Sequence, residues 1–373
     1  MKFTIERAVL LKTLSHVQSI VEKRNTIPVL SNVRLEAMPD AISFKATDMD
    51  TEITELTDAK ITETGATTAP AHMLYDIARK LSDGSEVELT FPDEKGQLSI
   101  SSGRSKFSLP TIAVEDFPVI SGDELPVNFK MVKEDLKDVI DRTQFAASTE
   151  ETRYYLNGLY MHAKTEGETK VLRVVATDGH RLACVEAPLP LGAETLSGVI
   201  IPRKTVAEIR KLLDDSDCQD VDLSLSENKI RFALKDVTLT SKLIDGTYPD
   251  YERVIPTGND KILELSAKEL STAVDRVSVV AERTRAIKLI MSKNHLVITT
   301  SSPDLGSALE ELEADYNSDA LEVGYNFRYL LDILSEIRGE NVQMTFSDGS
   351  SPSIVRDTAD ASSIYVLMPM RVW

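Results

Sequence analysis

The chain contains the same succession of sequence patterns three times, and this threefold repeat constrains its fold more than any short motif does. Phe3-Thr4-Ile5 opens the first copy, Phe129-Lys130-Met131 the second and Leu263-Glu264-Leu265 the third, with offsets of 126 and 134 residues. A helical pattern follows each opening, and a second helical pattern follows later in every copy. Tandem copies of one unit predict domains that are arranged along an arc or a ring.

The length of the chain agrees with this division. It has 373 residues, and domains of about 100 to 150 residues are the commonest size. Phe117-Pro118 and Tyr248-Pro249 mark equivalent points near the ends of the first two copies. We therefore expect three domains, over residues 1–125, 126–256 and 257–373.

Each copy is expected to contain two helices and several antiparallel strands. Apolar residues three or four positions apart predict helices over 6–21, 72–81, 132–146, 203–213, 266–281 and 326–338. Alternating apolar residues predict strands over 87–91, 221–225 and 342–346. The order within a copy is β, α, three or more β, α and again β. This order indicates the α+β class, with antiparallel sheets and the helices gathered on one face.

The formal net charge of the chain is −18, which by itself argues against binding a polyanion. The six predicted helices, however, carry 15 basic and 11 acidic residues, a net charge of +4. The acidic excess therefore lies outside the helices. A layer of helices could face nucleic acid while the rest of the molecule stays acidic.

Helix packing sets the number of chains that a DNA-sized ring needs. Six helices about 9 Å apart close a circle about 17 Å across, which leaves no room for a duplex once about 10 Å of helix thickness is subtracted. Twelve helices from two chains give a free diameter of about 24 Å. A dimer is therefore the smallest ring that could surround double-stranded DNA.

Several classes of protein are not indicated by the sequence. It has no apolar run of about 18 residues and no signal peptide at Met1, so we expect a cytoplasmic protein without a membrane partner. Cys184 and Cys218 have no metal-ligand spacing and are expected to be reduced. No dinucleotide fingerprint, phosphate loop or zinc-protease motif is present. We expect no cofactor, no metal and no catalytic residue.

Two alternative functions come from other classes. Asp178 and His180, two residues apart, leave a hydrolase open, although no nucleophile or second carboxylate at useful spacing accompanies them. The acidic charge and the methionines near the carboxyl end are also compatible with a peptide-binding scaffold that never meets DNA.

The chain resembles the family of bacterial DNA polymerase III β subunits, the DNA clamps, over its whole length. The resemblance rests on seven ordered motifs: Met1-Lys2-Phe3-Thr4, Gly103-Arg104-Ser105-Lys106-Phe107-Ser108-Leu109, Arg153-Tyr154-Tyr155-Leu156-Asn157-Gly158, Ala176-Thr177-Asp178-Gly179-His180-Arg181-Leu182, Ile201-Pro202-Arg203-Lys204, Tyr248-Pro249-Asp250-Tyr251 and Met368-Pro369-Met370-Arg371.

The resemblance implies three tandem clamp domains with helices on the inner face and sheets on the outer face. Two chains would join head to tail as a homodimer, a six-domain ring that encircles double-stranded DNA without sequence preference. The implied partners are the DNA polymerase III catalytic subunit, the clamp-loader complex, and other polymerases and repair proteins that carry clamp-binding peptides.

The resemblance also implies three sets of site residues. The peptide-binding set is Leu156, Thr177, Gly179, His180, Arg181, Leu182, Pro249, Arg253, Val254, Asn326, Tyr329, Val366, Met368, Pro369, Met370 and Arg371. The DNA-binding set is Arg24, His72, Arg79, Tyr154, Tyr155, Arg203 and Lys204. The dimer set is Phe107, Leu109, Val277 and Val279.

The carboxyl terminus departs from the family pattern. Trp373 lies beyond the position at which chains of the family commonly end. We expect that deleting Val372 and Trp373 weakens peptide affinity with little change in oligomeric state.

Overall fold

A computed structural model of the chain describes residues 1–92, 96–120, 124–167, 169–281 and 283–372. The expectation for Trp373 falls outside these described residues. One strand, a helix, four or five strands, a second helix and three strands follow one another three times within them, so the threefold repeat read from the sequence is confirmed.

The elements of the first repeat are β1 (Lys2–Glu6), α1 (Arg7–Ile20), β2 (Asn32–Ala37), β3 (Ile42–Thr47), β4 (Thr51–Thr57), β5 (Lys60–Glu63), β6 (Gly65–Pro70), α2 (Ala71–Lys80), β7 (Glu86–Thr90), β8 (Gln97–Ser102) and β9 (Ser105–Pro110). The second repeat comprises β10 (Val127–Val132), α3 (Lys133–Gln144), β11 (Gly158–Glu166), β12 (Thr169–Thr177), β13 (Arg181–Pro188), β14 (Val199–Pro202), α4 (Arg203–Asp215), β15 (Asp220–Leu225), β16 (Lys229–Ala233) and β17 (Val237–Lys242).

The third repeat comprises β18 (Lys261–Ser266), α5 (Ala267–Ala281), β19 (Ala286–Ser292), β20 (His295–Ser302), β21 (Gly306–Glu313), β22 (Asp315–Tyr316), β23 (Leu321–Asn326), α6 (Phe327–Leu334), β24 (Asn341–Phe346), β25 (Ser353–Asp357) and β26 (Ser363–Leu367). Four short 3₁₀ helices cover Pro28–Ser31, Val114–Asp116, Glu151–Leu156 and Tyr251–Val254.

All six predicted helices are present, and five of them match the predicted bounds within two residues. The exception is α6, which was predicted to reach residue 338 and ends at Leu334. After Leu334 the backbone tightens, because Glu336 and Ile337 donate to the carbonyls three residues earlier, at 3.0 Å and 3.3 Å. Apolar spacing continues through such a 3₁₀-type turn, so the sequence pattern does not show where the α-helix stops.

The chain divides into two compact units. Unit 1 consists of Met1–Glu134, Pro190–Ala193 and Lys204–Leu243, and unit 2 of Asp135–Leu189, Glu194–Arg203 and Ile244–Trp373. The second repeat therefore contributes to both units. Each unit contains two antiparallel sheets.

In unit 1, an eight-stranded sheet has the order β10-β15-β16-β17-β4-β3-β2-β6. The second repeat joins the first repeat in this sheet through β17 and β4, where Val237 lies opposite Glu55 and Ser241 opposite Thr51. The other sheet of unit 1 has the order β5-β1-β7-β8-β9, which leaves β9 as an edge strand.

In unit 2, a nine-stranded sheet has the order β14-β11-β12-β13-β26-β25-β24-β18-β22. The second repeat joins the third through β13 and β26, where Arg181 lies opposite Leu367 and Val185 opposite Ser363. A four-stranded sheet has the order β21-β20-β19-β23, which leaves β21 at an edge.

The helices bury one face against these sheets. Leu10, Leu14 and Val17 of α1 are fully buried, as are Leu270 and Val274 of α5. This pattern is the amphipathic spacing from which the helices were predicted, and the α+β class is confirmed. Within the described part of the chain, no helix is both long and apolar enough to cross a membrane.

Candidate functional site

An apolar cavity of about 230 Å³ lies in unit 2. Its walls come from the ends of β12, β13 and β26 and from the 3₁₀ helix that begins at Tyr251. The cavity is lined by Leu156, Thr177, Gly179, Arg181, Leu182, Pro249, Asp250, Tyr251, Val254, Val366 and Met368.

The turn between β12 and β13 is held rigid by its own side chains. The carboxylate Oδ1 of Asp178 accepts hydrogen bonds from the backbone N–H groups of His180 and Arg181, at 2.9 Å and 3.0 Å. The hydroxyl of Thr177 donates to the carbonyl of Arg181 at 2.7 Å. Gly179 has a φ of +88°, and a Cβ there would lie 2.6 Å from Nη1 of Arg153. This turn therefore requires glycine, and Asp178 serves the turn geometry.

Arg181 forms a polar wall of the cavity and is fixed from several sides. Its guanidinium lies 4.4 Å from the ring centroid of Tyr329 and 5.2 Å from that of Phe145. It also pairs with Asp178 at 3.1 Å and with Asp332. Because these contacts restrict the rotamers of Arg181, its N–H groups are held in place beside an apolar space.

The floor of the cavity is a pair of strands. Leu182 of β13 lies opposite Val366 of β26, and both side chains are buried. Just beyond β26, the N–H of Met368 donates to the carbonyl of His180 at 2.9 Å, while its side chain stays 39% exposed. A flexible thioether at the mouth of an apolar cavity can repack around different apolar side chains. The chemistry suits a short apolar peptide.

The structure places nine of the sixteen predicted peptide-binding residues in the cavity wall. Two further lining residues, Asp250 and Tyr251, were not among the predicted site residues. Both belong to the motif Tyr248-Pro249-Asp250-Tyr251, so the sequence contained a signal for them.

The other seven predicted peptide-binding residues lie outside this cavity. His180 stacks on Tyr329 beside Arg181, with 6.2 Å between ring centroids. Asn326 caps α6, because its side chain accepts from the N–H of Arg328. Arg253 lines a second cavity of about 420 Å³, which shares Val254 and Met368 with the first. The remaining three line a third cavity of about 470 Å³: Pro369, Met370 and Arg371.

The predicted DNA-binding residues of unit 1 have different surroundings. Arg24 is exposed. His72 is half-buried, and its Nε2 lies 2.9 Å from the carbonyl of Val21. Arg79 pairs with Asp76 at 3.0 Å. Lys204 pairs with Asp48, so part of its charge is already neutralised within the chain.

The predicted DNA-binding residues of unit 2 are Tyr154, Tyr155 and Arg203. Tyr154 is 54% exposed and meets Tyr155 edge to face, with 5.8 Å between ring centroids. Arg203 is exposed at the first residue of α4. Exposed aromatic rings can stack on bases, and an exposed guanidinium can contact phosphates.

Two of the four predicted dimer residues are exposed and two are buried. Phe107 on β9 is 38% exposed and Val279 on α5 is 72% exposed. Leu109 and Val277 are buried within the chain. Leu309 on β21 is a further exposed apolar residue, which the sequence did not distinguish from a core leucine.

No centre for metal chemistry is formed by the described residues, among which no group of three or more His, Cys, Asp or Glu side chains could hold an ion. Cys184 and Cys218 are free thiols, the former buried.

Family models of the DNA polymerase III beta subunit match the chain in three parts. The N-terminal domain model matches residues 1–121, the central domain model 130–250 and the C-terminal domain model 252–371. The beta sliding clamp of Caulobacter vibrioides NA1000 is 50% identical over 373 residues, all of both chains. The beta sliding clamp of Escherichia coli K12 is 38% identical over 374 residues, again all of both chains.

Solved structures show the same similarity. The beta sliding clamp of Caulobacter crescentus has a TM-score of 0.97 and 50% identity, covering 100% of this chain and 99% of that one. A sliding clamp of Bartonella birtlesii bound to griselimycin has a TM-score of 0.96 and 46% identity, covering 100% of both chains.

Three α+β repeats that match clamp domains along the whole chain define a DNA sliding clamp. Its partners are accordingly DNA and a DNA polymerase. The chain belongs to the DNA polymerase III beta subunit family, and it is a non-catalytic processivity factor of DNA replication. The hydrolase alternative is therefore wrong, and the DNA-free scaffold is not favoured.

Proposed function

We propose that two copies of this chain join head to tail into a six-domain ring around duplex DNA. The observation that carries this proposal is the equivalence of strand positions in the three repeats. At the first junction, the last strand of repeat two, β17, pairs with the third strand after the first helix of repeat one, β4. At the second junction, the last strand of repeat three, β26, pairs in the same way with the third strand after the first helix of repeat two, β13.

The two strands left over by this pattern are β9 and β21. Strand β9 is the last strand of repeat one, and β21 is the third strand after the first helix of repeat three. Both are sheet edges within the described parts of the chain. Pairing β9 of one copy with β21 of the other would repeat the same junction between chains and cover both edges.

The surfaces of the two edges complement each other. On and beside β9, the exposed side chains include the cations Arg104 and Lys106 and the apolar Phe107. On β21, they include the anion Glu311 and the apolar Leu309. Opposite charges flanking apolar groups favour a contact between the edges over a contact of either edge with itself.

Encirclement explains how an acidic protein can stay bound to DNA. With a net charge of −18, the chain does not depend on a large basic surface, because a closed ring is retained by topology. Polar and aromatic side chains on the helices and nearby loops then make weak contacts with DNA, which permit sliding. The proposed contacts are Arg24, His72, Arg79, Tyr154, Tyr155, Arg203 and Lys204.

The apolar cavity of unit 2 is the proposed docking site for partner proteins. It would take a short apolar segment of the DNA polymerase III catalytic subunit, of the clamp-loader complex, or of other polymerases and repair proteins, all in the cytoplasm. The Bartonella relative is bound to griselimycin, and we propose that griselimycin binds this chain in the same cavity.

The three domains of the proposed clamp cover residues 1–125, 126–256 and 257–373.

Primer extension on a primed single-stranded circle tests the proposed function. With polymerase and loader present, the wild-type chain is expected to lengthen the products made in one binding event. Met368→Glu places a charge at the mouth of the cavity and should abolish this effect and griselimycin binding, while leaving the dimer mass unchanged. Long products from Met368→Glu would refute the role of the cavity.

A further inference from the structure

One wall of the peptide cavity rests on a buried arginine that does not itself line the cavity. The wall is the 3₁₀ helix Tyr251–Val254, which supplies Tyr251 and Val254. Arg173 on β12 is 7% exposed, and its Nη1 donates to the hydroxyl of Tyr251 at 3.3 Å and to Glu252 at 3.0 Å. Its Nε donates to Glu186 on β13 at 2.8 Å. Arg173 therefore connects the wall helix to two strands of the sheet.

His162 on β11 completes the network. Its Nδ1 lies 3.1 Å from the carbonyl of Ala163, an atom that only accepts, so Nδ1 carries the proton. Burial and the nearby Arg173 lower the pKa of His162, which keeps the imidazole neutral. Its Nε2, 2.9 Å from the hydroxyl of Tyr251, is then an acceptor. The hydroxyl donates to His162 and accepts from Arg173, so both partners fix its direction.

This network is not part of the common framework of the repeats. The pair His162 and Arg173 on β11 and β12 corresponds to Glu36 and Ser43 on β2 and β3, which face each other in the same register. The motif offset between Phe117-Pro118 and Tyr248-Pro249 places Ile120 at the position of Tyr251. The first repeat thus folds without any of the three side chains. They occur together in the second repeat, which supplies nine of the eleven lining residues of the cavity.

We propose that Arg173 is a positioning residue for peptide binding, which holds the Tyr251 wall in its binding-competent place before the peptide arrives. This inference rests on the proposed function of the cavity. A preformed wall spares the peptide the cost of ordering it, so the loss of Arg173 should weaken binding although no contact with the peptide is removed.

Three variants test whether Arg173 affects peptide affinity by positioning the Tyr251 wall. Arg173→Met keeps the length of the side chain and removes its hydrogen bonds, and it should raise the Kd for griselimycin about tenfold. Tyr251→Phe keeps the ring in the cavity wall and removes only the hydroxyl, so it should raise the Kd about threefold. Arg173→Lys keeps the charge beside Glu186 without the planar fork and should fall between wild type and Arg173→Met.

The double variant tests whether the two residues act together. If Arg173 acts through the hydroxyl of Tyr251, adding Tyr251→Phe to Arg173→Met should weaken binding no further. Arg142→Met is the matched control, because it removes another buried, ion-paired arginine of unit 2. It should lower the melting temperature and leave the Kd for griselimycin unchanged.

Calorimetric titration of each folded variant with griselimycin measures these Kd values. A Kd for Arg173→Met within twofold of wild type, or additive effects in the double variant, would overturn the positioning role. Met368→Glu keeps this failure distinct from failure of the proposed function. If the wild type binds and Met368→Glu does not, an unaffected Arg173→Met refutes only the positioning role.

Discussion

His16 in α1 and Arg142 in α3 occupy the same position of the repeat, 126 residues apart, and each lies buried between two carboxylates. His16 contacts Glu55 at 2.8 Å and Asp215 at 3.1 Å. Arg142 contacts Asp138 at 3.1 Å and Asp360 at 2.7 Å. One junction between repeats thus contains a titratable group where the other contains a permanent cation.

Unit 1 should therefore lose stability as the pH rises. Burial by itself would lower the pKa of His16, but Glu55 and Asp215 outweigh it and the pKa is raised from 6.5. The folded chain thus binds the proton more tightly than the unfolded chain does. The stabilisation is fully present below pH 6.5 and is lost as the pH rises through the raised, folded-state pKa.

Thermal denaturation of wild type and His16→Gln between pH 5.5 and 9 checks this expectation. The difference in melting temperature should be largest at the acidic end and should shrink above the raised pKa. His16, Glu55 and Asp215 line a small cavity, and the other charged groups around it are unchanged in the variant, namely Lys12, Asp217, Lys235 and Asp236. A difference in melting temperature that is constant with pH would show that folding does not raise the pKa of His16.

Charge placed on either side of the proposed junction, on β9 or on α5 beside β21, should separate the dimer. Phe107→Glu and Val279→Glu each put a carboxylate on an apolar patch, where unpaired burial costs about 3 kcal/mol or more. Light scattering should then give the single-chain mass of 41.3 kDa. Leu191→Glu is the control, because Leu191 is 89% exposed and lies on neither edge. A dimer mass for Phe107→Glu would contradict the proposed junction.

Gly324 should be sensitive to the smallest possible substitution. A Cβ there would lie 2.3 Å from the side chain of Val372 and 2.4 Å from the carbonyl oxygen of Met370. The added methyl group therefore fits only if the carboxyl-terminal segment moves. Gly324→Ala should lower the free energy of unfolding by about 1 to 3 kcal/mol. Gly258→Ala, where nothing lies within 4 Å, is the matched control. Chemical denaturation measures both, and equal stabilities would contradict the packing seen here.

Arg24 and Lys204 should contribute unequally to DNA affinity. Lys204 is paired with Asp48 and lies 3.8 Å from Glu22, whereas no ion pair to Arg24 is found in the described part of the chain. Arg24→Ala should lower the slope of log affinity against log salt by about 0.9, the value for one phosphate contact. Lys204→Ala should lower the slope by less than Arg24→Ala does, because Asp48 already neutralises part of the charge of Lys204. Fluorescence anisotropy with labelled duplex measures both slopes, and the reverse order would count against these contacts.

Local patterns in the sequence were sufficient for the helices, the repeat and the α+β class. The spacing of Leu10, Leu14 and Val17 predicts which face of the helix is buried, because residues three or four positions apart lie on the same face of an α-helix. Pairing between repeats could not be predicted, since β17 meets β4 across about 180 residues of chain and no local pattern encodes such a contact.

The site was predicted less completely than the fold. Leu182 and Val366 reach the cavity because of strand register, and they were predicted from the family resemblance and not from a local pattern. Tyr251 reaches it through a single 3₁₀ turn, and such turns have no periodic signature. Similarly, Leu109 and Phe107 are both apolar residues of one strand, and only the structure shows that the first is buried and the second exposed.

Retention on DNA by encirclement is the central property proposed for this protein. The most direct measurement loads the labelled protein onto a nicked plasmid circle, linearises half of the sample with a restriction enzyme, and follows the release of protein from both. We expect the protein to stay on the circles and to slide off the linear ends. Equal retention on circles and linear fragments would mean that direct affinity, and not a closed ring, holds this protein on DNA.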